Sequence, residues 1–199
     1  MSNYGSKTNS EGKSIQANGS MPVLVGECVP GNTIEYFGMS KDQNGELSAN
    51  MAEIRFKQSN GATFTKKFWD SEEDWAIDNL NRDMLHIATK IVPETEYDAA
   101  VAGSTSFSDF IQKIAVGVIS KAEGKKFALK IIYKANTNKQ SASFGQFFPS
   151  FPNFPNWIEP DGTNPTTFRT NPKYDFYEIP TSTSAEEMDT EEAADTEVF

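Results

Sequence analysis

Residues 125–159 read KKFALKIIYKANTNKQSASFGQFFPSFPNFPNWIE, and the fold turns on how this stretch is taken. In its first third Phe127, Leu129, Ile131 and Tyr133 alternate with Lys126, Lys130 and Lys134, and residues two apart share a face of a pleated strand. The alternation predicts a β-strand with one apolar and one basic face. In its last third Phe148, Phe151, Phe154 and Trp157 recur every three residues among Pro149, Pro152 and Pro155. In polyproline II geometry, with about three residues per turn, the four rings would line one edge. A cationic strand beside such a ladder suits a single strand of nucleic acid, whose phosphates need counter-charge and whose unpaired bases need faces to stack on. The same residues also suit a plainer role, with the rings in the core and the lysines on a solvated face.

Upstream, residues 50–69 read as a hairpin, because Asn60-Gly61 can take the positive φ angles of a tight turn between two alternating runs. Pairing across that turn sets Lys57 opposite Phe64 and Arg55 opposite Lys66 on one face, with Ile54, Phe56 and Lys67 on the other. A second basic face bearing an aromatic follows. Residues 22–29 and 33–39 predict two further strands, separated by the turn signal Pro30-Gly31-Asn32. Ser71 and Asp74 resemble a capping box, and Ile77, Leu80, Met84, Ala88 and Ile91 recur at helical spacing until Pro93, predicting an amphipathic helix of about five turns. A second helix starts at Ser106, capped with Asp109, carries Phe107, Phe110, Ile111, Ile114 and Val118, and ends at Gly124.

At 199 residues the chain is long enough for one domain with an ample core. Residues 1–20 carry little to bury and predict a disordered arm. The net charge is −10, but seven acids and no lysine or arginine lie in residues 181–199, so residues 1–180 carry only −3. That tail is predicted to be disordered too. Residues 113–139 reverse the sign, with seven lysines against one acid. A basic patch and an acidic tail thus share one chain. No apolar run reaches the length of a membrane span, and residues 1–20 have no hydrophobic signal region, so the expectation is a cytoplasmic protein with no membrane contact. One cysteine and one histidine leave no zinc site of the Cys/His type. Cys28, within an apolar run, is expected to be a small buried hydrophobe, and His86, beside the stripe of the first helix, a structural side chain.

No phosphate-cradling loop, GxSxG, HExxH, CxxC or EF-hand pattern occurs. Glu72-Glu73-Asp74 reads as a helix start and not as catalytic carboxylates. The expectation is a protein that is not an enzyme and holds no metal or cofactor. The tail is more specific: Glu191, Glu192, Asp195 and Glu197 precede Phe199, setting one ring and a carboxylate at the tip of a polyanion. Such a tip can plug a hydrophobic pocket rimmed by Lys or Arg on a partner, or fold back on the basic groove of its own chain.

Taken together, the basic aromatic-bearing strands, the two intervening helices and the acidic tail closing on Phe199 resemble single-stranded DNA-binding proteins of tailed phages. KKFALKIIYKAN followed by a loop and NWIEP is similar to their lysine-rich strand and later strand end, which carries over Lys126, Lys130, Tyr133, Lys134, Trp157 and, at the tip, Phe199. The resemblance implies a mainly β fold: a five-stranded oligonucleotide/oligosaccharide-binding (OB) barrel over residues 21–180 with two inserted helices. It implies sequence-independent coating of single-stranded DNA in phage replication or recombination, in the host cytoplasm. Replication partners such as polymerase, helicase or primase would be recruited by the tail, and a homo-oligomer is possible. Arg55, Lys57, Lys66, Lys126, Lys130 and Lys134 would neutralise phosphates, and Phe64, Tyr133, Phe148 and Trp157 would supply aromatic faces. The competing expectation is a structural or scaffolding protein of a virus particle, with the Phe-Pro run as a subunit contact.

Overall fold

In a computed structural model of the chain, residues 21–41, 44–153 and 156–180 are described. The expected arm at 1–20 and the expected tail, with Glu191, Glu192, Asp195, Glu197 and Phe199, lie outside the described residues. The fold is mainly β. Six antiparallel strands, Gly26–Lys41 (β1), Leu47–Lys57 (β2), Thr63–Trp69 (β3), Phe127–Ala135 (β4), Phe147–Ser150 (β5) and Ile158–Pro160 (β6), form one open sheet. Its order is β3-β2-β1-β4-β5, and β6 pairs with β4. Three helices, Asp74–Ala88 (α1), Glu94–Val101 (α2) and Phe107–Gly117 (α3), lie in the chain between β3 and β4. Among the described residues there are therefore six strands where five were expected, and three α-helices where two were expected.

The two predicted N-terminal strands are one bent strand. Pro30-Gly31-Asn32 does not reverse the chain; Gly31 takes φ 75°, and the Asn32 side chain donates to the carbonyls of Val29 at 2.6 Å and Phe127 at 3.0 Å, so that the bend stays inside the ladder. β1 pairs with β4 along its first half and with β2 along its second. One long strand thus joins both halves of the sheet.

The hairpin forms, but one residue out of the expected register. Gly61 at φ 87° donates to the Gln58 carbonyl and Gln58 N–H to that of Ala62, so the loop holds five residues and Lys57 pairs with Thr63. Phe56 then faces Phe64, and Ile54 faces Lys66. Because side chains alternate, the slip moves every residue of β3 to the other face. Phe64 and Lys66 lie on the core face, and Lys67 lies on the outer one with Arg55 and Lys57.

α1 begins at Asp74, later than the capping box predicts, because the Ser71 hydroxyl accepts from Glu73 N–H and caps no helical residue. It ends at Ala88. α2 was not predicted: its only buried residue is Tyr97, too sparse for an apolar stripe, although Pro93 at the N-cap and Glu94 and Glu96 in the first turn are start signals. α3 is capped as expected, Ser106 Oγ accepting from Asp109 N–H at 3.1 Å. It stops at Gly117, and a 3₁₀ turn at Ile119–Ala122 leads to Gly124. α2 packs close on α3, since a β-carbon at Gly117 would lie 2.7 Å from Ala100 Cβ.

One continuous core joins Ile54, Phe56, Phe64 and Phe68 of the hairpin, Phe127, Leu129 and Ile131 of β4, and Met84, Ile87, Ile111 and Ile114 of the helices. Trp157 and Phe151 complete it. Phe151 packs against Phe64 at 4.5 Å and Trp157 at 4.4 Å between ring centroids. The sheet thereby curls until β3 approaches the end of β5, joined there by rings and not by main-chain bonds.

The opposite face of β4 is covered as well. Ala128, Lys130 and Ile132 lie beneath residues 159–177, so the predicted basic face of this strand is replaced by a buried one. Lys130 Nζ reaches Asp175 at 2.5 Å and the Arg169 carbonyl at 2.6 Å, and Tyr133 N–H donates to the Phe176 carbonyl. Glu159, buried, accepts from Thr166 Oγ1 at 2.6 Å and from Thr167 N–H and Oγ1 at 2.8 and 2.7 Å, latching the strap. These bonds hold the Glu159 carboxyl below its usual pKa range against a burial that pushes the other way.

The Phe-Pro run does not form a single-edged ladder. Residues 147–150 are a strand, with Pro149 opposite Tyr133; a proline fits at such an outer strand. Phe148 is 45% exposed, while Phe151 and Trp157 are buried, and Phe154 lies outside the described residues.

Candidate nucleic-acid interface

Where β3 approaches β5 the sheet leaves an open groove of about 360 Å³. Its walls carry Lys66 and Lys67 from β3 and Lys134 from β4, with Phe64, Phe151 and Pro149 beside them. Lys66, placed by the hairpin register among apolar neighbours, turns its ammonium over the ring of Trp157 at 5.0 Å and pairs with Asp83 of α1 at 3.1 Å. Cation and ring attract when partly dehydrated. Lys67 is exposed. Lys134 Nζ donates to the Asn153 side-chain oxygen, which holds it over the groove.

Thr65 and Lys67, which line the groove, share the outer face of β2 and β3 with Arg55 and Lys57. Arg55 there stacks over Tyr36 at 5.5 Å and pairs with Glu53 at 2.5 Å, and Lys57 is exposed at the strand end. Phe148 projects from β5 opposite Lys134. The β4–β5 loop alongside is ordered by Asn136, whose amide donates to Ser141 at 3.0 Å and Ser143 at 2.9 Å. Cations and rings therefore alternate from Arg55 and Tyr36 across Lys67 to Lys134 and Phe148, an arrangement that can hold phosphates while presenting ring faces.

Several predicted interface residues sit elsewhere. Lys130 is buried in its ion pair beneath residues 159–177. Trp157 is wholly buried, edge-on to Phe56 at 6.1 Å and to His86 at 6.3 Å, and Phe64 is buried against Phe151; neither can stack on a base. Tyr133 is half-buried. Lys126 is exposed but lies just before β4, eight residues from Lys134, so the two are roughly 26 Å apart at about 3.3 Å per residue. Lys126, Lys130 and Lys134 accordingly do not form one basic stripe. Conversely, Lys67 and Tyr36 were missed. The signal for Lys67 was present: Phe64 and Phe68 have the parity of Lys66, which makes that parity the core face and leaves Lys67 outward.

Cys28 is exposed, not buried as expected, because it lies on the outer side of β1. Its thiol is pushed above the usual range by partial burial and then by the carboxylates of Glu159, Asp161 and Glu27. That disfavours the thiolate a nucleophile requires. His86 is lowered to about 4, first by burial and then by Lys90 and Lys66, so it is neutral at physiological pH.

No helix among the described residues is long and apolar enough to cross a membrane. Comparison with known protein families, with curated proteins and with solved structures finds no match to this chain.

Proposed function

We propose that this protein binds single-stranded DNA without sequence preference, along the groove between β3 and β5 and the adjoining outer face of β2 and β3. The observation that carries this is the convergence of Lys66, Lys67 and Lys134 on one groove, with Phe148 paired beside Lys134 and Arg55 and Tyr36 on the outer face that Lys67 shares. Phosphates would lie against the ammonium groups, and Phe148 and Tyr36 would offer base-stacking faces. The strand order β3-β2-β1-β4-β5, with the helices between β3 and β4 and the gap between β3 and β5, supports a partly open Greek-key barrel of the OB kind, which takes oligonucleotides on its strand 2–3 face and the adjacent loops. The likeness to phage single-stranded DNA-binding proteins, and recruitment of replication partners by Glu191, Glu192, Asp195, Glu197 and Phe199, belong to the same proposal.

The test is fluorescence anisotropy of labelled oligo(dT) at several salt concentrations. Each phosphate contact adds about −0.7 to the slope of log K against log salt for a single strand. Lys67→Ala and Lys134→Ala should each flatten that slope by roughly that amount, while Lys126→Ala should change it least. Equal effects at all three positions, or no binding by the wild type, would refute the proposed path.

A further inference from the structure

A second groove lies at the far end of β3, between it, α1 and the start of α3, and its character is opposite. It encloses about 240 Å³ and is lined by Trp69, Ile77, Leu80, Phe107 and Phe110, with Asp70 at its edge. Two of its large apolar side chains face solvent: Trp69 is 59% exposed and Ile77 38%. Ile77 was expected in the core stripe of α1, but the burial of that helix falls on Met84, Ile87 and Ala88 at its other end. The first turns thus turn Ile77 outward to the groove, while Trp75, two residues earlier and 66% exposed, lies on the other side of the helix. Exposed aromatics gathered at a groove mark protein contact sites, because large rigid rings release much water on burial at little conformational cost.

The charge around the groove specifies the occupant. Asp70 lines it, Glu72, Glu73, Asp74 and Asp78 lie in the segment that forms this wall, with Asp74 and Asp78 one turn before and one residue after Ile77 on α1, and no lysine or arginine occurs between Lys67 and Arg82. No cation lines it. An acidic rim about an apolar floor repels a polyanion, so neither nucleic acid nor the acidic residues 181–199 of this chain fit it. We propose that this groove docks a cationic amphipathic segment of a partner protein, its apolar side chains against Trp69, Ile77 and Phe110 and its Lys or Arg against the carboxylates. Such a segment could be held while the cationic groove at β3 and β5 is occupied by its own anionic ligand, since the two surfaces share no lining residue.

The probe is an amphipathic lysine–leucine peptide of roughly 14 residues, about four helical turns, titrated into the nitrogen-15-labelled full chain. The three tryptophan indole N–H signals report directly: that of Trp69 should move most while that of Trp75, on the other side of α1, and that of buried Trp157 stay, the last also controlling for the fold in each variant. Ile77→Ala should weaken binding about tenfold, equivalent to about 1.4 kcal/mol, and Asp74→Asn with Asp78→Asn should weaken it while leaving the Trp157 signal in place. A glutamate–leucine peptide should not bind. Equal binding of both peptides, shifts confined to residues 181–199, no binding, or indole signals that move with protein concentration alone would each overturn the proposal; the last would assign the face to a second copy of the chain.

Discussion

Replacing Lys130 by alanine separates its two assigned roles, a phosphate contact on an open face and half of a buried ion pair. The side chains of Lys130 and Asp175 are only 4% and 6% exposed, and their charged atoms lie 2.5 Å apart. Lys130→Ala leaves the Asp175 carboxylate under the strap with Asn171 N–H, at 2.5 Å, as its remaining donor. Removing one partner of such a pair costs about 3–5 kcal/mol. For a domain of this size, where 1 kcal/mol shifts Tm by about 2–4 °C, Tm should fall by roughly 6–20 °C. An exposed lysine that contacts only DNA would cost no more than about 0.5 kcal/mol. Replacing both partners, as Lys130→Met with Asp175→Leu, should restore most of the loss, since the desolvation of two charges is removed along with their attraction. Thermal melts of the single and double variants, paired with oligo(dT) anisotropy below the transition, measure both roles. A Lys130→Ala protein that melts within about 2 °C of wild type and yet binds DNA much more weakly would refute the structural assignment.

Three further outcomes are expected. His86 titrates at about 4 in the folded protein against 6.5 unfolded, so the unfolded chain takes up the proton first: stability should be level above about pH 6.5 and decline towards about pH 4. After discounting for its partial exposure the loss is about 2 kcal/mol, read from urea midpoints at the two ends of that range, and His86→Leu should flatten it. Gly31→Ala should destabilise by roughly 1–2 kcal/mol, because φ 75° is unfavourable for alanine and its β-carbon would meet Ser59 Cβ at 3.2 Å; an unchanged denaturation midpoint would rule out that backbone geometry. Trp157→Ala should cost about 3–5 kcal/mol of stability as a core truncation, whereas Phe148→Ala should leave the melt nearly unchanged and weaken oligo(dT) binding by about 1–3 kcal/mol. The reverse pattern would exchange their roles.

Much of the fold was legible because its signals are local. Alternation in 127–135 marked β4, Asn60-Gly61 marked the hairpin, and Ser106 with Asp109 marked the start of α3; each rests on contacts within a few residues. Misreadings arose where a local signal allowed two geometries. Asn60-Gly61 suits a two-residue turn or the five-residue loop observed, and that difference of one residue exchanged the faces of Lys66 and Lys67. Pro30-Gly31-Asn32 suits a reversal or a bend, and the bond from Asn32 to Phe127, 95 residues away, selected the bend.

For the candidate site, the residue types were written in the chain, and their assembly was not. By itself the sequence determined that β4 has an apolar side, that cations and aromatics are concentrated in the strands and the segment after them, and that α1 begins in a run of acids. Only the tertiary structure decided that Lys130 is buried, that Phe151 and Trp157 close the core while Phe148 remains outside, and that Lys66, Lys67 and Lys134 meet at one groove. The reason is physical: alternation tells which residues share a face, but whether a face meets water depends on what packs over it. Here the cover is residues 159–177, whose Asp175 lies 45 residues from the lysine it neutralises.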